Sequence, residues 1–153
     1  MDKIVFITGA SSGIGAGCAR KFASQGASLI LNARNVNKLS ALKEELEKQY
    51  GAKIYLLPFD VRDRKAATSA LESLPKEWQS IDILVNNAGL VIGTDKEQEG
   101  SLDEWDIVID TNVKALLAMT RLIVPGMVER KRGHIINIGS IAGDAAYPGG
   151  SVY

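Results

Sequence analysis

The sequence holds one cysteine, Cys18, in 153 residues, so no disulfide can close within the chain and the cysteine usage fits a reducing compartment. Cys18 stands among Ala16, Ala19 and Phe22 at helical spacing, which reads as a small buried packing residue rather than a nucleophile or ligand. No apolar run reaches the length of a membrane span, and no metal site is expected. A β-branched run begins almost at once after Met1, so no secretory leader is expected. Together these features point to a cytoplasmic setting. Charge of one sign is also missing: Lys+Arg and Asp+Glu each number 18, for a net charge of zero. Nothing therefore draws the chain to nucleic acid or to an anionic membrane. The run Glu129-Arg130-Lys131-Arg132 reads as the solvated end of a helix, its cations complementing the helix dipole.

What is present is a globular composition, 46% hydrophobic and 24% charged, of a length that suits one domain spanning 1–153. Strand and helix signals alternate. Short apolar runs at 3–8, 28–33, 53–58, 81–86 and 134–138 read as five strands, apolar on both faces as a covered parallel sheet requires. Between them lie helical patterns at 13–25, 37–50 and 62–74, and from Ser101 to about 131 with a break expected near Asp110. In the first helix Ile14, Cys18, Phe22 and the alanines share a face, with Gly26 as C-cap; in the second Leu39, Leu42 and Leu46 point inward, and Gly51 closes it. Right-handed crossovers then give a doubly wound α/β sheet. The stretch 92–100 has the weakest structural signal. From Asn112 to Val128 the apolar residues exceed one core-facing stripe, so this helix is expected to be covered on a second side, by another subunit or by further chain.

After the first strand comes Thr8-Gly9-Ala10-Ser11-Ser12-Gly13-Ile14-Gly15, then a helix. Glycines let the backbone turn tightly against a pyrophosphate, and the helix N-terminus adds N–H donors and a positive dipole end. Ser11 and Ser12 can donate further bonds. The turn is not a Walker A loop, and Cys18 stands where the G-x-G-x-x-G template wants Gly or Ala. The second strand ends Leu31-Asn32-Ala33-Arg34. NAD-binding turns place an acid about 20 residues on, to hold the ribose 2′-hydroxyl. Here no acid occurs between Ser28 and Asn37; Arg34 stands there instead, suited to a 2′-phosphate, with Lys38 as a second cation. NADP is the nucleotide this favours.

These residues, with Asp60-Val61, Asn86-Asn87-Ala88-Gly89, Asn112, Ser140 and Tyr153 in the same order, resemble the short-chain dehydrogenase/reductases over the whole chain. The block from Asn137 to Pro148 resembles a subgroup that acts with NADP on 3-hydroxy acids such as serine and allo-threonine. The resemblance implies a Rossmann-like, three-layer αβα fold, a hydroxy-acid or carbonyl substrate, and a dimer or tetramer. It implies that Asp60 accepts from the adenine amine and Val61 flanks the ring. Asn86, Ala88 and Gly89 then border the ribose, while Asn87 stitches strands together. Asn112 holds a water of a proton relay, Ser140 polarises the substrate oxygen, and Tyr153 is the general acid/base. The family also places a lysine shortly beyond the tyrosine, which a phenol needs because a free one titrates near pH ~10. The chain stops at Tyr153, so it reads as the N-terminal portion of a longer enzyme, lacking the C-terminal part of the fold and inactive by itself. Two further readings stand beside a 3-hydroxy acid oxidoreductase. One is an NADP-binding module without catalysis; the other is a 3-oxoacyl carrier-protein or broad carbonyl reductase.

Replacing Arg34 with Asp should move nucleotide preference from NADP toward NAD. Titration of both nucleotides against this variant checks it; an unchanged ratio removes Arg34 from the site.

Overall fold

The computed structural model describes residues 2–153. Five strands, β1 (Ile4–Ile7), β2 (Ser28–Leu31), β3 (Ile54–Leu56), β4 (Ile81–Asn86) and β5 (His134–Asn137), form one sheet in the order β3-β2-β1-β4-β5. Every pairing is parallel. Successive residues of a strand face opposite sides, and both sides are covered over β1, β2 and β4, whereas the edge strand β5, expected to be covered likewise, leaves His134, Ile135 and Asn137 exposed. Val5, Ile7, Leu29, Leu31 and Val85 pack under α1 (Gly13–Ser24) and α2 (Val36–Tyr50). Phe6, Ile30 and Leu84 pack on the other face with Ala67 of α3 (Arg64–Glu72) and with Met119, Ile123 and Met127 of α5 (Leu116–Glu129). The expected doubly wound, three-layer sheet is the one observed.

Local chemistry sets the helix ends. Asn35 caps α2 by accepting from Lys38 N at 3.0 Å, and Asp63 caps α3 by accepting from Ala66 N at 3.0 Å. At the end of α1 the N–H of Gly26 reaches Ala23 O at 2.9 Å and that of Ala27 reaches Phe22 O at 3.1 Å. This paired closure needs the left-handed φ of +76° at Gly26. The inward face of α1 differs from expectation. Its buried residues are Gly15, Ala16, Ala19 and Ala23, whereas Ile14 is 62% exposed and Cys18 only half-buried against the core. Small residues let the helix approach the sheet closely, and the larger ones are pushed to its flanks.

The long helical region does not break at Asp110. It runs from α4 (Leu102–Ile109), capped by Ser101, through a π-helical segment at Asp110–Ala115 into α5. Widened turns of this kind cluster at functional sites. The stretch 92–100 also carries a short 3₁₀ turn at Glu97–Glu99.

The basic run after α5 is not simply solvated. Arg130 Nη2 donates to Ile81 O at 2.6 Å. Arg132 Nε lies 2.7 Å from Asp82 Oδ1, and the other oxygen of this buried carboxylate accepts from Ile4 N at 3.0 Å. The chain turns back at Lys131, whose φ of +52° is the only left-handed non-glycine backbone among the described residues. The two arginines thus tie the end of α5 and the chain just after it to the start of β4, at the end of the sheet opposite the site. Removing Arg132 leaves a buried carboxylate short of its counter-charge. Arg132→Ala should therefore cost roughly 2 kcal/mol, below the usual penalty because the arginine itself is half-exposed. A urea-unfolding midpoint equal to that of the unaltered protein would contradict this.

Candidate active site

β1 to β3 step one way across the sheet, and β4 returns to the other side of β1. The carboxyl ends of β1 and β4 therefore diverge at a topological switch point, where open α/β sheets hold their ligands. A cleft of about 960 Å³ opens there, lined by residues that follow all five strands.

The glycine turn forms one wall, and it is fitted to the end of β4. Thr8 Oγ1 donates to Val85 O at 3.3 Å and accepts from the backbone N–H groups of Asn87 and Ala88, both at 3.0 Å. Asn87 Nδ2 donates back to Thr8 O at 2.9 Å and Gly9 O at 3.1 Å, the stitching role expected of it. A methyl group on Gly9 would stand 2.9 Å from Ala88 Cα, and one on Gly15 would run into Gly9 O. Gly15 is consequently a packing residue and, alone among the expected site residues, does not line the cleft. Ser11, Ser12, Gly13 and Ile14 do line it, with Gly9 beneath them. Ser12 is extended and makes no side-chain cap bond, so the first N–H groups of α1 stay open to a ligand. This wall fits a phosphate.

The next wall carries charge. Arg34 and Lys38 line the cleft beyond β2, and Asp60, Val61 and Arg62 line it beyond β3. Val61 is buried. Asp60 is gripped by Arg62: Oδ2 accepts from Nη2 at 2.7 Å, and Oδ1 accepts from both the backbone N–H at 3.0 Å and Nε at 3.1 Å. The Arg62 guanidinium holds the Asp60 carboxyl below its ordinary pKa, against an opposing push from partial burial. The carboxylate is thus charged at neutral pH, and the grip is lost only as the pH falls through that lowered value. Sequence reasoning assigned Arg62 to the start of a helix and missed it here. The signal available was an acid and an arginine two residues apart at a strand end.

Asn86, Ala88 and Gly89 form the floor. The Asn86 amide is committed to bracing: Nδ2 donates to Thr120 Oγ1 at 3.0 Å and to Asn137 Oδ1 at 2.9 Å, tying β4 to α5 and β5. Asn112, in the π-helical segment, accepts from Leu90 N at 2.9 Å through Oδ1 and donates to Leu90 O at 2.7 Å through Nδ2. Both ends of its side chain hold the loop after β4 in place.

Ser140 and Tyr153 complete the wall beyond β5. Ser140 Oγ accepts from Ala142 N at 3.2 Å, which orients the hydroxyl and leaves its proton unengaged among the described residues. Tyr153 is 39% exposed. Asn112, Ser140 and Tyr153, far apart in sequence, share one cleft with the phosphate wall and the charged wall. Such a cleft can hold an extended phosphorylated ligand against a hydroxyl pair able to polarise an oxygen and move a proton.

Comparison with known proteins agrees with this geometry. The chain is 49% identical over 150 residues to the NADP-dependent 3-hydroxy acid dehydrogenase YdfG of Escherichia coli strain K12, covering 98% of this chain and 59% of that protein. It thus spans less than two thirds of that relative's length. The crystal structure of serine dehydrogenase from Escherichia coli superposes with a TM-score of 0.92 at 49% identity, over 98% of this chain and 68% of the other. A closed form of serine dehydrogenase complexed with NADP+ superposes with a TM-score of 0.90 at 48% identity, over 98% of this chain and 59% of the other. The profile of the short chain dehydrogenases matches residues 3–153, nearly the whole chain, and the chain belongs to that family.

Proposed function

We propose that this chain supplies the nucleotide site and the proton-handling residues of an NADP-dependent oxidoreductase. Its substrate is a small molecule that interconverts between alcohol and carbonyl, and a 3-hydroxy acid is the class favoured by the names of the similar proteins. The observation that carries the reading is the single cleft joining an open helix N-terminus, a cationic rim and the Asn112, Ser140 and Tyr153 side chains. The first two features suit a pyrophosphate and a 2′-phosphate. Arg34 and Lys38 meet the 2′-phosphate, Asp60 and Val61 take the adenine, and the backbone of Ala88 and Gly89 borders the ribose. Bound NADP would accept, as hydride, the electron pair released when a C–OH group becomes a carbonyl.

The chain's own residues do the rest. Ser140 donates to the substrate oxygen and stabilises charge on it. Tyr153 Oη takes the hydroxyl proton in oxidation and returns it in reduction. Asn112 acts by fixing the loop through Leu90, which keeps the cleft floor at a set distance from both hydroxyls. A cytoplasmic setting belongs to the same proposal and rests on the cysteine usage.

We also propose a homo-oligomer. Val113, Leu117 and Val128 lie on the outward side of the π-helical segment and α5 and are 50%, 60% and 68% exposed. Apolar side chains of this size along one helix suit a second copy of the chain.

In the protein that carries this chain, Tyr153→Phe should lower kcat by about 10²–10⁴-fold while leaving NADPH binding intact. Steady-state kinetics with a 3-hydroxy acid panel and a fluorescence titration of NADPH check the two halves; unaltered turnover would remove Tyr153 from the proton path. Leu117→Glu should reduce the mass seen by light scattering, and an unchanged assembly would place the subunit contact elsewhere.

A further inference from the structure

The charged wall of the cleft contains three cations, Arg34, Lys38 and Arg62, and among the described residues Asp60 is the only acid that lines it. The two arginines stand differently toward that acid. Arg34 Nη1 is 3.9 Å from Asp60 Oδ2, beyond hydrogen-bond reach, and its side chain is 67% exposed. Arg62 instead occupies both carboxylate oxygens, from its backbone N–H, its Nε and its Nη2. The Asp60 side chain is 29% exposed, so its charge faces the cleft rather than bulk water alone. A carboxylate placed this way has two possible partners, and one of them holds it.

We propose that Arg62 is a specificity-determining residue, which by gripping Asp60 keeps that carboxylate off Arg34 and leaves Arg34 free for a 2′-phosphate. The proposal rests on reading the cleft as an NADP site. Arg62 acts through Asp60 and is a positioning residue. Without it, Asp60 loses its partner and is left facing Arg34, the next guanidinium at 3.9 Å. Either outcome falls on NADP: Arg34 is drawn closer into its ion pair with Asp60 and away from the phosphate, or the carboxylate stays unneutralised beside an incoming phosphate dianion. NAD carries a 2′-hydroxyl there, which an added acceptor does not repel.

The test is a double-mutant cycle in the protein that carries this chain. Dissociation constants for NADPH and NADH are measured by fluorescence titration for the unaltered protein, Arg62→Gln, Asp60→Asn and the double variant. Arg62→Gln should weaken NADPH about fivefold more than NADH, the scale of an exposed charge pair. Asp60→Asn removes the competitor for Arg34, so the NADPH-to-NADH preference should not fall even where loss of the adenine contact weakens both nucleotides alike. In the double variant the preference should match that of Asp60→Asn. The proposal is overturned if Arg62→Gln leaves the preference unchanged, or if it lowers the preference equally with Asp60 already neutralised, since Arg62 would then meet the phosphate itself. It is overturned too if Asp60→Asn lowers the preference, a result that stands even should Arg62→Gln fail to fold. An unaltered protein that binds NADH as tightly as NADPH would refute the NADP reading first, and is read before any variant.

Discussion

The site depends on one short set of hydrogen bonds between β1 and β4. Parallel neighbours at a switch point leave the sheet in diverging directions, so nothing in the ladder itself fixes their exits relative to each other. Thr8 and Asn87 do so. The threonine hydroxyl accepts from two successive backbone N–H groups of the β4 exit, and the asparagine amide donates to two successive carbonyls of the β1 exit. These reciprocal bonds satisfy backbone groups that the end of a strand would leave bare, and they bring the glycine turn hard against Ala88. The phosphate wall and the floor are therefore one unit. Glycine is required at Gly9 by its left-handed φ of +63° as well as by the approach of Ala88, and at Gly15 by the carbonyl of Gly9.

From that unit the other walls are hung by asparagines. Asn86 reaches across to α5 and β5, and Asn112 reaches back to the loop that follows Gly89. Amides suit this work because they bond without charge: Asn112 uses donor and acceptor at once, while the buried Asn86 works through Nδ2 alone, its Oδ1 having no partner among the described residues. The charges are kept to the solvent-facing rim. The opposite end of the sheet shows the contrary arrangement, with the Asp82 carboxylate inside, Arg132 paired to it and Arg130 bonded to the neighbouring Ile81 carbonyl. One end of the molecule is made to open to a ligand and the other to stay shut.

Much of this was legible in the sequence, for physical reasons that also mark where reading stopped. Strand β4 was placed to the residue because Ile81 to Val85 is apolar but for Asp82 and closes on Asn86, a short run that suits a covered parallel sheet. The glycine spacing marked the turn, and Asn112, Ser140 and Tyr153 fall on the same cleft that the turn helps to line. Ile14 was misjudged because hydrophobicity was taken as burial, when close approach of α1 to the sheet admits only glycine and alanine there. The widened turns after Asp110 were read as a break, since loss of helical period in a sequence does not say whether the chain unwinds or merely slackens. The grip of Arg62 on Asp60 was missed, because the acid and the arginine two apart were legible but their contact depends on how the chain bends after β3 and not on any periodicity.

The π-helical segment has a mechanical side. Its inner surface carries Asn112, whose amide clamps the cleft floor at Leu90, while Val113 beside it points outward. The same widened turn thus meets the cleft through one residue and solvent through the next, and it has the loosest winding in the helix. Compliance is thus concentrated where a load applied from outside bears directly, through Asn112, on the loop that borders the cleft. Stiffening the outer surface there, by whatever means, would stiffen the cavity with it.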